Sequence, residues 1–249
     1  MPAGPASADG LRIGLTGGLG SGKSTAAAML AAHGATIFSA DELARSLMQP
    51  GQPVFAAIVE HFGPAVLRHD GTLDRAALAC LAFASGRVEE LNAIIHPATI
   101  ALQAKLATEV FARRPNAIVV VESALIFETK FGKADSSQDV HNEFEPREGQ
   151  PESNQSAVWS SRFDRLILVT APEALKISRF VARSNAPDPA AGRELAEEAR
   201  RRLAQMIPDE RKAPLCDYVL NNGRSLDHLQ QQVDALWQAL TQPQALTRP

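Results

Sequence analysis

The most informative segment of this chain is Gly17-Gly18-Leu19-Gly20-Ser21-Gly22-Lys23-Ser24. It fits the pattern G-x-x-x-x-G-K-[ST], and it lies between a strand-like apolar run, Leu11–Thr16, and a helical stretch that begins at Thr25. Glycines let backbone N–H groups wrap around a phosphate, and a helix start adds a favourable partial charge. The stretch predicts a phosphate-binding loop (P-loop), in which Lys23 reaches the outer phosphates and Ser24 ligates Mg²⁺. The alternative is a glycine-rich turn that merely joins strand to helix.

Apolar runs of the same kind as Leu11–Thr16 recur along the chain. Together with that first run, they cover residues 11–16, 36–38, 117–122, 165–170 and 217–220. Most residues in these runs are apolar and follow one another nearly continuously, rather than alternating with polar residues. This pattern is typical of parallel strands that are covered on both faces. Helical stretches lie between them, at 24–33, 54–61, 75–84, 88–111, 172–183, 192–205 and 225–240. The alternation predicts an α/β protein of the P-loop NTPase fold, with a five-stranded parallel sheet flanked by helices.

The interval 41–114 interrupts this alternation, because it holds several helical stretches and no convincing strand. We interpret it as a helical subdomain inserted into a single domain that spans about 11–240, with a core formed by 11–40 and 115–240. Residues 1–10 are rich in Ala, Pro and Gly, and we expect them to be disordered. Residues 241–249 form a C-terminal tail.

Residues 132–161 differ in composition from everything around them. They hold many Ser, Gln, Asn and Pro residues, with six acidic and two basic side chains and few apolar ones. Such a segment buries too little apolar surface to offset the entropy of ordering it. We therefore expect an acidic, disordered surface insert.

The overall composition excludes several classes of protein. With 45% apolar and 21% charged residues in 249, the chain is neither collagen-like nor a coiled coil nor wholly disordered. A net charge of -3 gives no reason to expect a polyanionic partner. A secretory signal and a run long enough to span a membrane are both missing from the sequence, which favours the cytoplasm. Cys80 and Cys216 have no metal-ligand spacing, so we expect buried thiols.

A P-loop indicates nucleotide binding without fixing the reaction. Switch GTPases, ATP-driven machines and small-molecule kinases all contain one. The chain has no N-K-x-D guanine signature and is short for a motor, so a kinase is favoured. A helical insertion also suits a kinase, because the acceptor must be held over the γ-phosphate by a part that excludes water.

Six ordered segments resemble the dephospho-CoA kinase family. The first is the run from Gly14 to Thr25 around the P-loop. The others are Ala40-Asp41-Glu42-Leu43-Ala44-Arg45 (D-x-x-A-R), Asp70-Gly71-Thr72-Leu73-Asp74-Arg75 with Leu78 and Phe83 (D-G-x-L-x-R), His96-Pro97 with Ile100 (H-P-x-I), Arg179 with Arg183 (R-x-x-x-R), and Gln205-Met206 with Asp217-Tyr218-Val219-Leu220-Asn221-Asn222-Gly223. The chain departs from the family at Ser39-Ala40-Asp41, where D-A-D is common, and at Glu122, where Asp is common.

The resemblance implies transfer of the γ-phosphoryl group of ATP to the ribose 3′-hydroxyl of dephospho-CoA, the last step of coenzyme A biosynthesis. It also implies an acceptor-binding domain at about 41–114 and a lid at about 176–205. By this resemblance the catalytic residues are Asp41, Lys23, Arg179 and Arg183, and the nucleotide-binding residues are Gly18, Gly20, Ser21, Gly22, Lys23, Ser24, Thr25 and Asn221. The acceptor-binding residues are Asp41, Arg45, Arg75 and His96, and the Mg²⁺ ligands are Ser24 and Glu122.

Two acidic residues among these have structural alternatives. Asp41 follows a predicted strand, where it accepts the proton of the acceptor hydroxyl or orients it, or else it caps a helix over residues 42–48. Glu122 ends a buried strand, where it holds Mg²⁺ through a water, or else it is a solvent-facing strand end.

The basic candidates also have structural alternatives. Arg179 and Arg183 lie on one helix face, which closes over the phosphates or is merely solvated. His96 touches substrate or is satisfied within the helical domain, and Arg75 binds an anion or forms a surface ion pair. The run Arg200-Arg201-Arg202, with Glu194, Glu197 and Glu198, indicates an exposed helix with i,i+4 pairs.

Two other functions stay open beside this kinase. One is a nucleotide-dependent binding protein that uses the P-loop as a switch, and the other is a nucleoside or nucleotide kinase. We expect small-molecule partners, ATP and dephospho-CoA, with no nucleic acid or membrane, and a monomer or weak homo-oligomer.

Overall fold

A computed structural model describes residues 10–84, 86–127, 161–185 and 187–242 of the chain. Its strands are β1 (Leu11–Thr16), β2 (Thr36–Ser39), β3 (Ile118–Glu122), β4 (Arg165–Thr170) and β5 (Tyr218–Asn221). Its α-helices are α1 (Lys23–Ala32), α2 (Ala40–Leu47), α3 (Pro53–Phe62), α4 (Arg75–Ala84), α5 (Val88–Arg113), α6 (Glu173–Arg183), α7 (Pro189–Ala204), α8 (Asp209–Lys212) and α9 (Leu226–Thr241). Two 3₁₀ turns cover Pro64–Val66 and Ala213–Leu215.

The strands form one five-stranded parallel sheet in the order β2-β3-β1-β4-β5. This confirms the α/β fold that the apolar runs predict. The strands are continuously apolar because both faces of the sheet are covered: Ile13 and Ile167 are buried on one face, and Val119, Val121 and Leu166 are buried on the other. The direction in which successive strands are added to the sheet reverses at β1, because β3 lies on one side of β1 and β4 lies on the other. Ligands of open α/β sheets bind at the carboxyl ends of the strands at such a point.

The described residues divide into two compact units. One contains the chain up to residue 37 and from residue 115 onward, and the other contains residues 38–114. Beyond the end of β2, the second unit consists of α2 to α5, a 3₁₀ turn and an isolated bridge between Leu67 and Leu73. Its own apolar cluster includes Ile58, Phe62 and Val66, so this unit has a core separate from that of the sheet.

The two cysteines differ from each other in exposure. Cys80 lies exposed on α4, so the expectation of a buried thiol is wrong there: a helix of the small unit buries one face only, and Cys80 lies outside that face. Cys216 is half-buried just before β5. Burial, together with the neighbouring charge of Asp217, raises the pKa of the Cys216 thiol to about 12.

Three predictions concern parts of the chain that the structure leaves largely undescribed. The acidic insert at 132–161 lies outside the described residues except for residue 161, and residues 1–9 and 243–249 also lie outside them. Within the described ranges, every helix is too short or too polar to cross a membrane.

Candidate active site

The P-loop connects β1 to α1 along a path that only glycine can follow. Gly20 has a φ of +72°, and a Cβ there would lie 2.2 Å from the carbonyl oxygen of Lys176. Gly22 has a φ of +94°, and a Cβ there would lie 2.0 Å from Nδ2 of Asn222. Left-handed backbone angles and these close approaches each exclude larger residues. The loop conformation therefore depends on α6 and on the end of β5 as well as on its own glycines.

Lys23 is the first residue of α1, and its ammonium group folds back over the loop. Nζ donates to the carbonyl oxygen of Gly17 at 2.9 Å and to that of Gly18 at 3.2 Å. An ammonium group has three protons to donate, and here it lies inside the turn of the loop. The arrangement places a positive charge where the loop backbone is able to surround an anion.

Ser24, in the first turn of α1, meets Glu122 at the carboxyl end of β3. The Ser24 hydroxyl donates to Oε1 of Glu122 at 2.7 Å. The pairing of Leu15 with Glu122, followed by a hydrogen bond from Ser123 N to Leu15 O at 3.0 Å, sets this register. Glu122 is thus not a bare solvent-facing strand end, because its carboxylate is held against the first turn of α1.

Asn222 is hydrogen-bonded to the backbone of the P-loop, and Arg179 is hydrogen-bonded to Asn222. Asn222 is buried, and its Nδ2 donates to the carbonyl oxygen of Ser21 at 2.9 Å. Nη2 of Arg179 donates to the carbonyl oxygen of Asn222 at 3.0 Å and reaches its Oδ1 at 3.4 Å. Nη1 of Arg179 and Oγ of Ser21 are buried and have no hydrogen-bond partner within the described ranges. Ser21 of the loop and Arg179 beside it thus each have a polar atom that bonds to nothing among the described residues.

Asn222 is a site residue that the sequence reasoning missed, since it selected Asn221. Asn221 is exposed, and its Oδ1 accepts from the backbone N–H of Gly223 at 2.8 Å. The side-chain amide of Gln232 bonds both the N–H and the carbonyl of Asn221, at 2.8 and 2.9 Å. Alternation along β5 is the signal that finds Asn222, because residues two apart share a face and Leu220 is buried. Nucleotide binding by Asn221 stays a prediction.

Arg183 and two arginines of α7 lie in different surroundings. Arg183 lies one turn beyond Arg179 and is exposed at the end of α6. On α7, Arg200 pairs with Glu197 at 2.5 Å, and Arg202 pairs with Glu198. This confirms the exposed, ion-paired helix that the run of arginines predicts.

In the second unit, Ser39 and not Asp41 caps α2. Oγ of Ser39 accepts from the N–H of Glu42 at 3.3 Å, and the helix begins at Ala40. The capping alternative for Asp41 is therefore wrong: Asp41 lies exposed inside the first turn, where its carboxylate accepts no hydrogen bond from the described residues. The S-x-x-E spacing of Ser39 and Glu42 is the signature of a capping box, and it is the signal that identifies the cap.

The other acceptor-site candidates are spread over three helices of the second unit. Arg45 is exposed in the last turn of α2, and His96 is half-buried within α5, one residue before Pro97. Arg75 is exposed at the start of α4, where Asp74 accepts from the N–H groups of Ala76 and Ala77 at 3.0 Å each. The surface ion pair considered for Arg75 does not form within the part of the chain described.

Comparisons of the sequence with known proteins identify one family. A family model described as dephospho-CoA kinase matches residues 11–140. Relatives named dephospho-CoA kinase include one from Syntrophus aciditrophicus, 34% identical over 96% of this chain and 86% of its own length. Another, from Moorella thermoacetica, is 36% identical over 92% of this chain and 91% of its own length.

Solved structures share the fold as well. The protein TT1252 from Thermus thermophilus superposes with a TM-score of 0.65 at 28% identity, covering 94% of this chain and all of that one. A dephospho-CoA kinase from Campylobacter jejuni gives a TM-score of 0.58 at 19% identity, covering 92% of this chain and 96% of its own.

Proposed function

The chain belongs to the dephospho-CoA kinase family, and from that membership we propose how its residues perform the reaction. The protein phosphorylates dephospho-CoA in coenzyme A biosynthesis. In our proposal the γ-phosphoryl group of ATP moves to the ribose 3′-hydroxyl of the acceptor. One observation carries the proposal: Lys23, the Ser24–Glu122 pair and Arg179 gather around one P-loop.

The phosphates of ATP bind in the loop. Its backbone N–H groups surround them, and Nζ of Lys23 exchanges the carbonyl oxygens of Gly17 and Gly18 for oxygens of the β- and γ-phosphates. The guanidinium group of Arg179 adds a second positive charge, and Asn222 fixes its orientation before ATP arrives. A donor that is already oriented stabilises developing charge without a reorganisation cost in the transition state.

Mg²⁺ fits the Ser24–Glu122 pair. A hydroxyl and a carboxylate are the hard oxygen donors that Mg²⁺ prefers, and the two side chains already lie within 2.7 Å of each other. Mg²⁺ is usually held by one or two such protein groups together with phosphate oxygens and waters. When bound, the ion neutralises charge on the β- and γ-phosphates. The side chain of Glu122 is longer than that of the Asp common at this position in the family. Its contact with Ser24 supports a role for Glu122 in binding Mg²⁺.

The acceptor hydroxyl is oriented by Asp41. Its carboxylate is not used in capping α2, which leaves it available to accept the hydroxyl proton or a hydrogen bond from it. Arg45, Arg75 and His96 hold the anionic acceptor in the same unit. Arg183 and Asn221 complete the nucleotide side, and residues 176–205 act as the lid.

A coupled ADP-release assay with ATP and Mg²⁺ tests the proposed reaction. The acceptor panel contains dephospho-CoA, adenosine, AMP and shikimate. We expect ADP only with dephospho-CoA, in a one-to-one ratio with coenzyme A identified by mass. Turnover with adenosine or AMP instead would indicate a nucleoside or nucleotide kinase, and ATP hydrolysis that no acceptor changes would indicate a nucleotide switch.

A further inference from the structure

A buried ion pair lies beside the P-loop, between α6 and α8. Nζ of Lys176 donates to Oδ2 of Asp209 at 2.5 Å, and the hydroxyl of Thr170 donates to the same oxygen at 2.6 Å. Each side chain of the ion pair is only 10% exposed. One carboxylate oxygen therefore ties α6 to the end of β4 and to α8.

Lys176 meets the P-loop at two points. Its carbonyl oxygen lies 2.2 Å from where a Cβ at Gly20 would be, and its Nζ lies 3.3 Å from where a Cβ at Gly18 would be. Gly18 does not have a left-handed backbone angle, but Nζ of Lys176 and Cδ2 of Leu203, 3.4 Å from the same position, leave little room for a side chain there. The backbone of the loop rests against this one residue of α6.

The path of the loop backbone decides how well it binds a phosphate, because its N–H groups are the ligands. Lys176 also lies one turn before Arg179 on the same face of α6, so the helix presents both residues to the loop. A shift of Lys176 would move the support of Gly18 and Gly20 together with the guanidinium of Arg179. An ammonium group that loses its buried anionic partner does shift or draws in water, because an unpaired buried charge is costly.

We propose that Lys176 is a positioning residue for nucleotide binding, and that Asp209 fixes its ammonium group beside Gly18. Lys176 acts through the loop backbone and through Arg179 rather than on the reacting atoms. This inference rests on the nucleotide site of the proposed function, but it is independent of which acceptor the enzyme phosphorylates.

The test compares Asp209→Asn with a matched control, Asp217→Asn. Asp217 also faces a buried cation, Arg165, with 3.9 Å between Oδ1 and Nε, and its Oδ2 accepts from Leu166 N at 2.7 Å. It lies at the amino ends of β4 and β5, on the opposite edge of the sheet from the P-loop. Each substitution removes one negative charge and keeps an oxygen acceptor.

The readout is the dissociation constant of ATP by calorimetric titration without any acceptor, with thermal melting of each variant. We expect Asp209→Asn to weaken ATP binding about tenfold, because it removes a charged hydrogen bond that positions the site. We expect Asp217→Asn to leave ATP binding unchanged. Both variants should melt at a lower temperature than the wild type. Equal ATP affinity in the two variants would overturn the proposal.

If Asp209→Asn does not fold, the double variant Lys176→Met, Asp209→Leu takes its place, because an apolar pair leaves no unpaired charge. It should bind ATP about tenfold more weakly than the wild type, and wild-type affinity in it would refute the positioning role. A wild-type protein that binds ATP but does not phosphorylate dephospho-CoA contradicts only the proposed reaction. A wild-type protein that does not bind ATP contradicts both.

Discussion

At the scale of single residues, the charge of Lys23 is the simplest to test. Its ammonium group bonds two loop carbonyls and lies outside the apolar core of the sheet. Lys23→Ala removes the charge at the β- and γ-phosphates without opening a cavity in that core, so turnover should fall by far more than tenfold while the fold persists. The measurement is kcat at saturating ATP, with circular dichroism as the control for folding. A loss of less than about tenfold, or ~1.4 kcal/mol, would rule out this role.

Asp41 gives a second residue-scale prediction, which the capping role of Ser39 makes sharper. Asp41→Asn keeps the size and one acceptor of the side chain but removes its charge. If the carboxylate aligns the hydroxyl and accepts its proton, kcat should fall roughly 10²–10⁴-fold while the affinity for ATP hardly changes. The measurement is steady-state kinetics with varied dephospho-CoA.

Ser39→Ala is the matched control for that experiment. It removes the hydrogen bond to Glu42 N, so it should destabilise the protein by about 1 kcal/mol and lower the melting temperature with little loss of kcat. Asp41→Asn should do the reverse. Wild-type turnover in Asp41→Asn would exclude Asp41 from the chemistry.

At the scale of elements, α6 brings two arginines to different environments. Arg179 is bonded to Asn222 beside the loop, whereas Arg183 is exposed one turn further on. Both substitutions to alanine should lower kcat more than they raise KM for dephospho-CoA, if each charge stabilises the transferring phosphoryl group. Because only Arg179 is already oriented, Arg179→Ala should have the larger effect. A change confined to KM for dephospho-CoA would assign the residue to acceptor binding instead.

The sequence predicts the elements well because the hydrophobic pattern is local. The bounds of β1, β4 and α4 agree with those expected from apolar runs, and the P-loop lies where its pattern indicates. The contacts between elements are a different matter. Ser24 meets Glu122 across 98 residues, and Asn222 meets Ser21 across 201. Such pairs depend on the order of strands in the sheet, which the individual runs do not specify.

The ion pair of Lys176 and Asp209 shows the same limit in another form. Both residues occur in amphipathic or polar stretches, for which the sequence predicts exposed positions on a helix. Nothing in their spacing links them to a glycine-rich loop. Their burial follows from the way α6 and α8 pack beside the P-loop. The cap of α2, by contrast, was available from the S-x-x-E spacing of Ser39 and Glu42, a local signal.

For the molecule as a whole, the acidic insert contributes charge but none of the residues assigned to the proposed site. Residues 132–161 hold six acidic and two basic residues, a net charge of -4, so the rest of the chain has a net charge of +1. The described chain on either side enters the core at once, since Phe127 and Phe163 are both buried. The sheet and the P-loop site therefore depend on residues outside the insert.

Replacing residues 132–161 by a short Gly/Ser linker should leave kcat and the melting temperature nearly unchanged. Loop-closure entropy varies only as the logarithm of loop length, about 0.6 kcal/mol for each doubling, and the segment has few side chains that form a core. A Gly/Ser segment of the original length is the matched control, because it keeps the length and removes only the sequence. If activity collapses with both replacements while melting is unchanged, the acidic segment itself belongs to the lid or the acceptor site. If only the short linker fails, the length of the connection matters and its charges do not.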